Sequence, residues 1–541
     1  MGLFVNPDNS AFQVALNSEI YIDKTGLLKY TNKVMDTRQA LICNSRPRRF
    51  GKTTTADMLT AYYSRGCHSE TMFDGKEISK WDSFKTHLNR YDLIRLDVQW
   101  FLSPSRSAET VVSHMEQCVL KELKEYYPEV SEPSLSETLA AVKQTTGNKF
   151  IIIIDEWDAL IRDEAENLTV QEEYIGFLRS LFKGSHPAEY LHLAYLTGIL
   201  PVKKLKTQSA LNNFEEFTML SSGVLTPYIG FTEKEVKNLC ITYNRPFSEV
   251  KRWYDGYMLE WMPPAASGSQ DGPSLERCHI YNPMAVDKVM RYGIFESYWS
   301  QTGTYDSIVP LINQDFDGLQ EAVLRMISGT PVEVDIRTFQ NDMVSFAGKD
   351  DVLTVLVHLG YLSYDRTMHT VSIPNEEIRS EFINATKKNK WNDLLELQKK
   401  SDELLNATLE GNGGLTAELM EEFHNRFASS IQYNDENSLS SVLTLAYLSA
   451  MQYYFKPVRE LPAGRGFADF VYLPKPEYRA KMPALLVELK WNQSAEAAID
   501  QIKAKKYTNA LKEYTGNILL VGINYNKKFR RHECQIEGFQ K

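Results

Sequence analysis

Ser45-Arg46-Pro47-Arg48-Arg49-Phe50-Gly51-Lys52-Thr53-Thr54 is the stretch from which the rest of the chain is read. The apolar run Ala40-Leu41-Ile42-Cys43 precedes it, and Met58, Leu59, Tyr62 and Tyr63 follow at the spacing of one helical face. Strand, glycine-bearing loop and helix is the setting a phosphate-binding loop needs. Amides at a helix start have no intrahelical acceptor, and the helix dipole favours an anion there. In that setting Gly51 lets the backbone approach closely, Lys52 reaches the terminal phosphates and the Thr53 hydroxyl ligates magnesium. The usual pattern has a glycine five residues before Gly51, and this chain has Arg46 there.

At 541 residues the chain has room for about three domains of roughly 150 residues. Hydrophobic residues at 43% and charged residues at 24% exclude a disordered or fibrous class. A net charge of −10 argues against indiscriminate coating of nucleic acid and leaves room for a local basic face. Six cysteines lie far apart with no Cys-x-x-Cys pair, which suggests neither a zinc cluster nor a disulfide framework. The start, Met1-Gly2-Leu3-Phe4-Val5-Asn6-Pro7, lacks a basic region followed by a long apolar run. No apolar stretch approaches the roughly 20 residues that span a bilayer. The expected location is the cytoplasm, with no membrane partner.

Strand and helix signals alternate through the first 225 residues, which implies a mostly parallel sheet with helices on both faces. Residues 91–98 read as a strand and 108–127 as a long helix. Phe150-Ile-Ile-Ile-Ile-Asp155-Glu156 reads as a strand buried on both faces. Its two acids stand at the carboxyl end, where such sheets place ligands. Asp155 is expected to hold magnesium and Glu156 to polarise the attacking water of a phosphoryl transfer. A strand ending in a solvated acidic turn is the plainer alternative. Tyr190 to Gly198 is a further strand, on which Thr197 either senses the terminal phosphate or caps a turn. The nucleotide-binding candidates are Arg46, Arg49, Gly51, Lys52, Thr53, Thr54 and Thr197. Arg46, Arg48 and Arg49 add positive charge near the phosphates or at a subunit contact, so a homo-oligomer is among the expected assemblies.

Beyond 225, aromatic-rich helical segments are expected, such as Val250-Lys-Arg-Trp-Tyr-Asp-Gly-Tyr257. Residues 263–274 hold nearly every turn-forming type and read as a surface loop. Residues 350–383 give a helix, Gly360 and a hairpin in the order of a winged helix, either a DNA-binding module or, as favoured here, a lid on the ATPase. Lys387-Lys388-Asn389-Lys390 reads as a solvated linker face. The boundaries are a P-loop unit over 1–225, a helical and winged-helix-like lid region over 226–395 and a third domain over 396–541.

The third domain carries a second chemical centre. A helix through Leu439, Val442, Leu443, Leu445, Ala446 and Leu448 precedes Gly464-Arg-Gly-Phe-Ala-Asp469 and Ala484-Leu-Leu-Val-Glu488-Leu-Lys490-Trp491. Strand periodicity puts Glu488 and Lys490 on one face. Asp469 and Glu488 suit a divalent metal, with Lys490 orienting or activating water against a phosphodiester. The plainer alternative is an i, i+2 ion pair worth about 0–1 kcal/mol. From Lys456 to Lys541 there are 16 Lys and Arg against 9 Asp and Glu, near +7, which suits a polyanionic substrate.

With both centres in view, the chain resembles prokaryotic proteins that join an AAA-ATPase-like domain to a carboxyl-terminal PD-(D/E)XK nuclease domain. The resemblance rests on Tyr21-Ile-Asp-Lys-Thr25, Arg46-Pro-Arg-Arg-Phe-Gly-Lys-Thr53, Ile154-Asp-Glu156, Thr197-Gly-Ile199, Trp253-Tyr-Asp-Gly-Tyr257, Tyr281-Asn-Pro283, Gly464-Arg-Gly-Phe-Ala-Asp469, Glu488-Leu-Lys490 and Gln501. It implies ATP and Mg2+ as cofactors and an α/β restriction-endonuclease-like fold for the last domain. It also implies a metal at Asp469 and Glu488 with Lys490 catalytic, and Gln501, Tyr507 and Glu436 as further residues of that site. The expected partners are a nucleotide and nucleic acid, DNA in the first instance, in defence against foreign DNA or mobile-element biology. A scaffold ATPase that binds nucleic acid without cutting it is the alternative.

Overall fold

The computed structural model describes residues 2–102, 110–202, 211–262, 276–299, 305–314, 316, 318–327, 329–339, 346–388, 392–427, 439, 442–444, 446–455, 457–463, 466–479, 481–505 and 516–539. Contacts divide the chain into two compact units, Met1–Gln301 with Glu333–Glu377, and Thr302–Val332 with Ile378–Lys541. The loop at 263–274, Lys390, Glu436, Leu445 and Tyr507 lie outside the described residues.

The first unit is built on a five-stranded sheet of β1 (Leu41–Ser45), β2 (Asp92–Asp97), β3 (Phe150–Asp155), β4 (Leu191–Gly198) and β5 (Glu215–Phe217). The strand order is β2-β3-β4-β1-β5 and every pairing is parallel. β3 is an interior strand between β2 and β4 and is wholly buried, which is why its sequence is a continuous apolar run. Ile151 and Ile153 join Ile42, Leu193 and Tyr195 in a core closed by Met58, Leu59, Tyr62 and Tyr63 of the helix Lys52–Tyr63. Ile152 and Ile154 point the other way and are as completely buried, so the strand is covered on both faces. The register sets Asp155 beside Asp97 and Thr197 beside Asn44, which lines up the carboxyl ends of the strands.

The region after 225 departs from the helical expectation. The helix Phe247–Tyr254 stops short of Tyr257, and a three-stranded antiparallel sheet forms from β6 (Phe231–Thr232), β7 (Tyr257–Trp261) and β8 (Glu276–Tyr281), in the order β6-β8-β7. Gly256 makes the break. Its φ is +117°, and a Cβ there would stand 2.0 Å from the Pro374 carbonyl oxygen. The helix Lys349–Leu359, ended by Gly360, then leads into the hairpin of β9 (Ser363–Asp365) and β10 (Thr370–Ser372), as the sequence predicts.

The second unit holds a mixed five-stranded sheet. Its strands are β11 (Val458–Ala463), β12 (Gly466–Tyr472), β13 (Ala484–Trp491), β14 (Ile518–Asn526) and β15 (Arg531–Phe539), adjacent in chain order. Only β13 and β14 are parallel, joined by a crossover containing the helix Ala495–Ala504. Ile499 and Ile502 of that helix pack on Leu486, Ala484, Ile518 and Leu520. By strand alternation Glu488 and Lys490 share that face. Gly522, opposite Glu488, lets the helix come close, for a Cβ there would lie 2.5 Å from the Ala495 carbonyl oxygen.

Candidate functional site

Two centres of converging chemistry stand in the structure, one in each unit. In the first, Gly51 adopts φ +86° and starts the helix Lys52–Tyr63, whose first turn no side chain caps. Those uncapped amides open on a cleft of about 1200 Å³ lined by Arg48–Thr55, Asp155 and Glu156. Tyr21, Tyr228, Phe231 and Met284 supply apolar walls of the same cleft. Lys52 is buried, donates to the Pro47 carbonyl at 3.1 Å and lies 3.5 Å from Glu156. Burial pushes the Asp155 carboxyl up to about 6, against the opposing pull of Arg95 at 3.5 Å. A buried carboxylate held so high, hydrogen-bonded by Thr53, suits a divalent cation that would restore its charge. Glu156 takes a left-handed φ of +48°, a strained conformation for its type.

Three residues that sequence reasoning did not single out hold these acids in place. Arg95 on β2 bridges Asp57 and Asp155. Arg162 binds Glu156 at 2.8 Å and Asp158 at 3.0 Å. Asp158, fully buried, also accepts the amides of Ile199 at 3.1 Å and Leu200 at 2.8 Å, which ties the end of β3 to the end of β4. The i, i+4 spacing of Asp158 and Arg162 was a readable signal. Arg95, an arginine amid Leu93, Ile94 and Leu96, was another.

The structure brings Arg49, Gly51, Lys52, Thr53, Thr54, Asp155 and Glu156 to the cleft wall. Arg46 and Thr197 are not among the residues that line it. The Arg46 guanidinium is wholly buried and turned to the Ser45 and Phe217 carbonyls at 2.9 and 3.2 Å, and burial lowers it to about 10. The missing glycine is thus filled by an arginine whose side chain goes under β5 instead of into the loop. Thr197 is buried within β4, and its carbonyl accepts the Trp157 amide at 3.0 Å. Asp255 of the Trp253–Tyr257 motif belongs to a separate knot with Glu233 and His279, in which the Lys251 ammonium lies 2.5 Å from Glu233 and 3.6 Å from Asp255. A lysine already occupies the place a cation would take there.

The second centre sits on β12 and β13. Phe470 pairs with Val487, and continuing that register by one residue sets Asp469 opposite Glu488. Asp469 Oδ2 accepts the Leu489 amide at 2.6 Å. Glu488 is 1% exposed, and its Oε1 accepts from Lys490 at 3.0 Å and from Gln501 on the crossover helix. Among the described residues its Oε2 has no hydrogen-bond partner. Burial, then the charge of Asp469, raises the Glu488 carboxyl to about 7, and the Lys490 contact works the other way. A buried oxygen unpartnered among the described residues, with the charge of a second acid nearby, fits a divalent cation with oxygen ligands. Of the residues implied for this centre, Asp469, Glu488, Lys490 and Gln501 are brought together; Glu436 and Tyr507 lie outside the described residues.

Residues 11–207 match the family model described as a predicted AAA-ATPase, and residues 434–534 match the PD-(D/E)XK nuclease superfamily. An uncharacterized protein in the vnfD 5′ region of Azotobacter chroococcum mcd 1 is 23% identical over 308 residues, covering 54% of this chain. The chain spans about half, 52%, of the length of that relative. The Aeropyrum pernix ORC2 protein aligns over 72% of this chain and 99% of its own, at 13% identity and a TM-score of 0.27. Among the described residues no helix is long and apolar enough to cross a membrane.

Proposed function

We propose, for a chain that carries an AAA-ATPase-like domain over 11–207 and a PD-(D/E)XK nuclease-superfamily domain over 434–534, that it is an ATP-binding and ATP-hydrolysing protein coupled to a metal-dependent DNA endonuclease. The observation that carries the reading is the arrangement at Glu488. Its Oε2 has no hydrogen-bond partner among the described residues, the charge of Asp469 acts on the same carboxyl, and Lys490 and Gln501 fix its other oxygen. A divalent cation bound there would neutralise charge on a phosphodiester. Lys490, buried beside it, orients or activates the attacking water. In the first unit the uncapped amides after Gly51 and the Lys52 ammonium hold phosphates, Thr53 and Asp155 serve the magnesium, and Glu156, fixed by Arg162, positions water. The functional division we propose is threefold: ATPase over 1–225, lid region over 226–395 and nuclease over 396–541. Nucleotide binding orders the lid and changes access to the nuclease site.

The test is plasmid cleavage with Mg2+ or Mn2+, with and without ATP, comparing the natural chain with Glu488→Ala, Lys490→Ala and Lys52→Ala. Cleavage should vanish in the first two, and ATP turnover should vanish in the third. Cleavage that survives both substitutions overturns the site, and DNA binding without cleavage in the natural chain supports a scaffold instead. Equal cleavage with and without ATP removes the coupling.

A further inference from the structure

The hairpin that joins β14 to β15 carries Asn526-Lys527-Lys528-Phe529-Arg530-Arg531, four cations around one aromatic ring with no acid among them. Residues 527–531 are all exposed, and Phe529 is 67% exposed, so its ring is open to solvent among the four cations. Lys528 Nζ lies 5.5 Å from the Phe529 ring centroid. No ion pair among the described residues engages Lys527, Lys528, Arg530 or Arg531. Glu533, the next acid along the hairpin, accepts from Asn524.

This tip is a fixed structure. The Asn526 carboxamide oxygen accepts the Lys528 and Phe529 amides at 3.1 and 3.2 Å, and Arg530 closes the turn with φ +51°. Asn492 Oδ1 accepts the Lys527 amide at 2.8 Å. Asn492 follows directly on β13, two residues after Lys490, so the strand that carries Glu488 and Lys490 also pins the hairpin. Lys490 pairs with Asn524, and the tip begins three residues further on. At about 3.3 Å per residue that is roughly 10 Å beyond the second centre.

We propose that this hairpin tip is a binding site for single-stranded DNA, which takes phosphates on Lys527, Lys528, Arg530 and Arg531 and a base on the Phe529 ring, and leads the strand to Glu488 and Lys490. This rests on the nuclease reading of that centre. Cations alternating with an exposed ring are the chemistry by which proteins hold unpaired strands, charge tracking the backbone and the ring stacking on a base. A single aromatic offers too little apolar area for a membrane surface, where several side chains are buried together.

The full chain is titrated against a fluorescein-labelled single-stranded DNA in EDTA, which prevents cleavage, with anisotropy as the readout and the salt concentration varied. Phe529→Ala should weaken binding about tenfold with the salt slope unchanged. Lys527→Gln with Lys528→Gln and Arg531→Gln should lower the slope by about 2 and weaken binding at least tenfold near 0.15 M salt. These side chains are exposed, and equal melting temperatures confirm that the variants fold. Variants that bind as tightly as the natural chain, with the same slope, overturn the proposal. So does a loss confined to phosphatidylserine vesicles with DNA binding intact. A natural chain that binds no DNA overturns instead the nuclease reading beneath it.

Discussion

Replacing Glu488 by Gln should make the metal-free second unit more stable at pH 8 while destroying its metal response. Burial and Asp469 lift the Glu488 carboxyl from 4.5 to about 7 in the folded chain. A folded value above the unfolded one means that the stabilisation is complete below about pH 4.5 and is lost as pH rises through 7. At about 1.4 kcal/mol per pH unit, that interval amounts to about 3 kcal/mol by pH 8. Gln keeps the shape and an acceptor for Lys490, and weakening that charged hydrogen bond gives back about 1 kcal/mol. The net gain is about 2 kcal/mol at pH 8 and close to zero at pH 5. Native-state hydrogen exchange of peptides from Ala484–Trp491 reads this unit separately from the first. Exchange there should slow about thirtyfold in the variant at pH 8. Manganese at 100 times its dissociation constant should add about 2.7 kcal/mol to the natural chain and nothing to the variant. A variant that exchanges as fast as the natural chain at pH 8 would refute the strained-carboxylate account of the centre.

On the opposite face of that sheet, His532 is 6% exposed with neither ring nitrogen partnered among the described residues, and burial lowers it to about 3. A depressed base stabilises the fold above pH 6.5 and loses that contribution as pH falls, about 2 kcal/mol by pH 5. His532→Phe should flatten this acid slope in thermal melts, and an unchanged slope counts against it. Gly522→Ala should destabilise the second unit by about 2 kcal/mol and weaken cleavage, because the helix carrying Gln501 must back away from Ala495's present position. Normal stability and cleavage would show that the close approach is dispensable.

What could be read in the sequence was what is local. β3 declared itself because an interior parallel strand covered on both faces is apolar throughout, and its two acids mark its end. Asp469 and Glu488 were legible as acids on successive strands, and the pairing of β12 with β13 sets them opposite one another. The residues that hold the acids were less visible, since Arg95 reaches Asp155 across strands 58 positions apart in the chain. Arg46 shows the opposite failure. A cation inside a phosphate-loop motif reads as a phosphate ligand, and nothing local reveals that its side chain turns to the Phe217 carbonyl 171 residues away. The sheet of β6, β7 and β8 was hidden because its strands are short, two to six residues, and the first is separated from its partner β8 by more than 40 residues.

The path of the chain between the two compact units has a consequence for anyone who would take them apart. It leaves the first unit after Gln301, contributes Thr302–Val332 to the second, and returns through Glu333–Glu377 before entering the second for good. A single proteolytic cut therefore liberates neither unit. A fragment beginning at 396, as the nuclease boundary in the sequence invites, would lack the helix Leu319–Ile327 with its buried Val323, Met326 and Ile327, and would lack Arg379, which bonds to the Ile327 carbonyl. During synthesis, the first unit waits for Glu377 to emerge, while the segment 302–332 waits longer still for its own partners. Autonomy in this protein is a property of the finished chain.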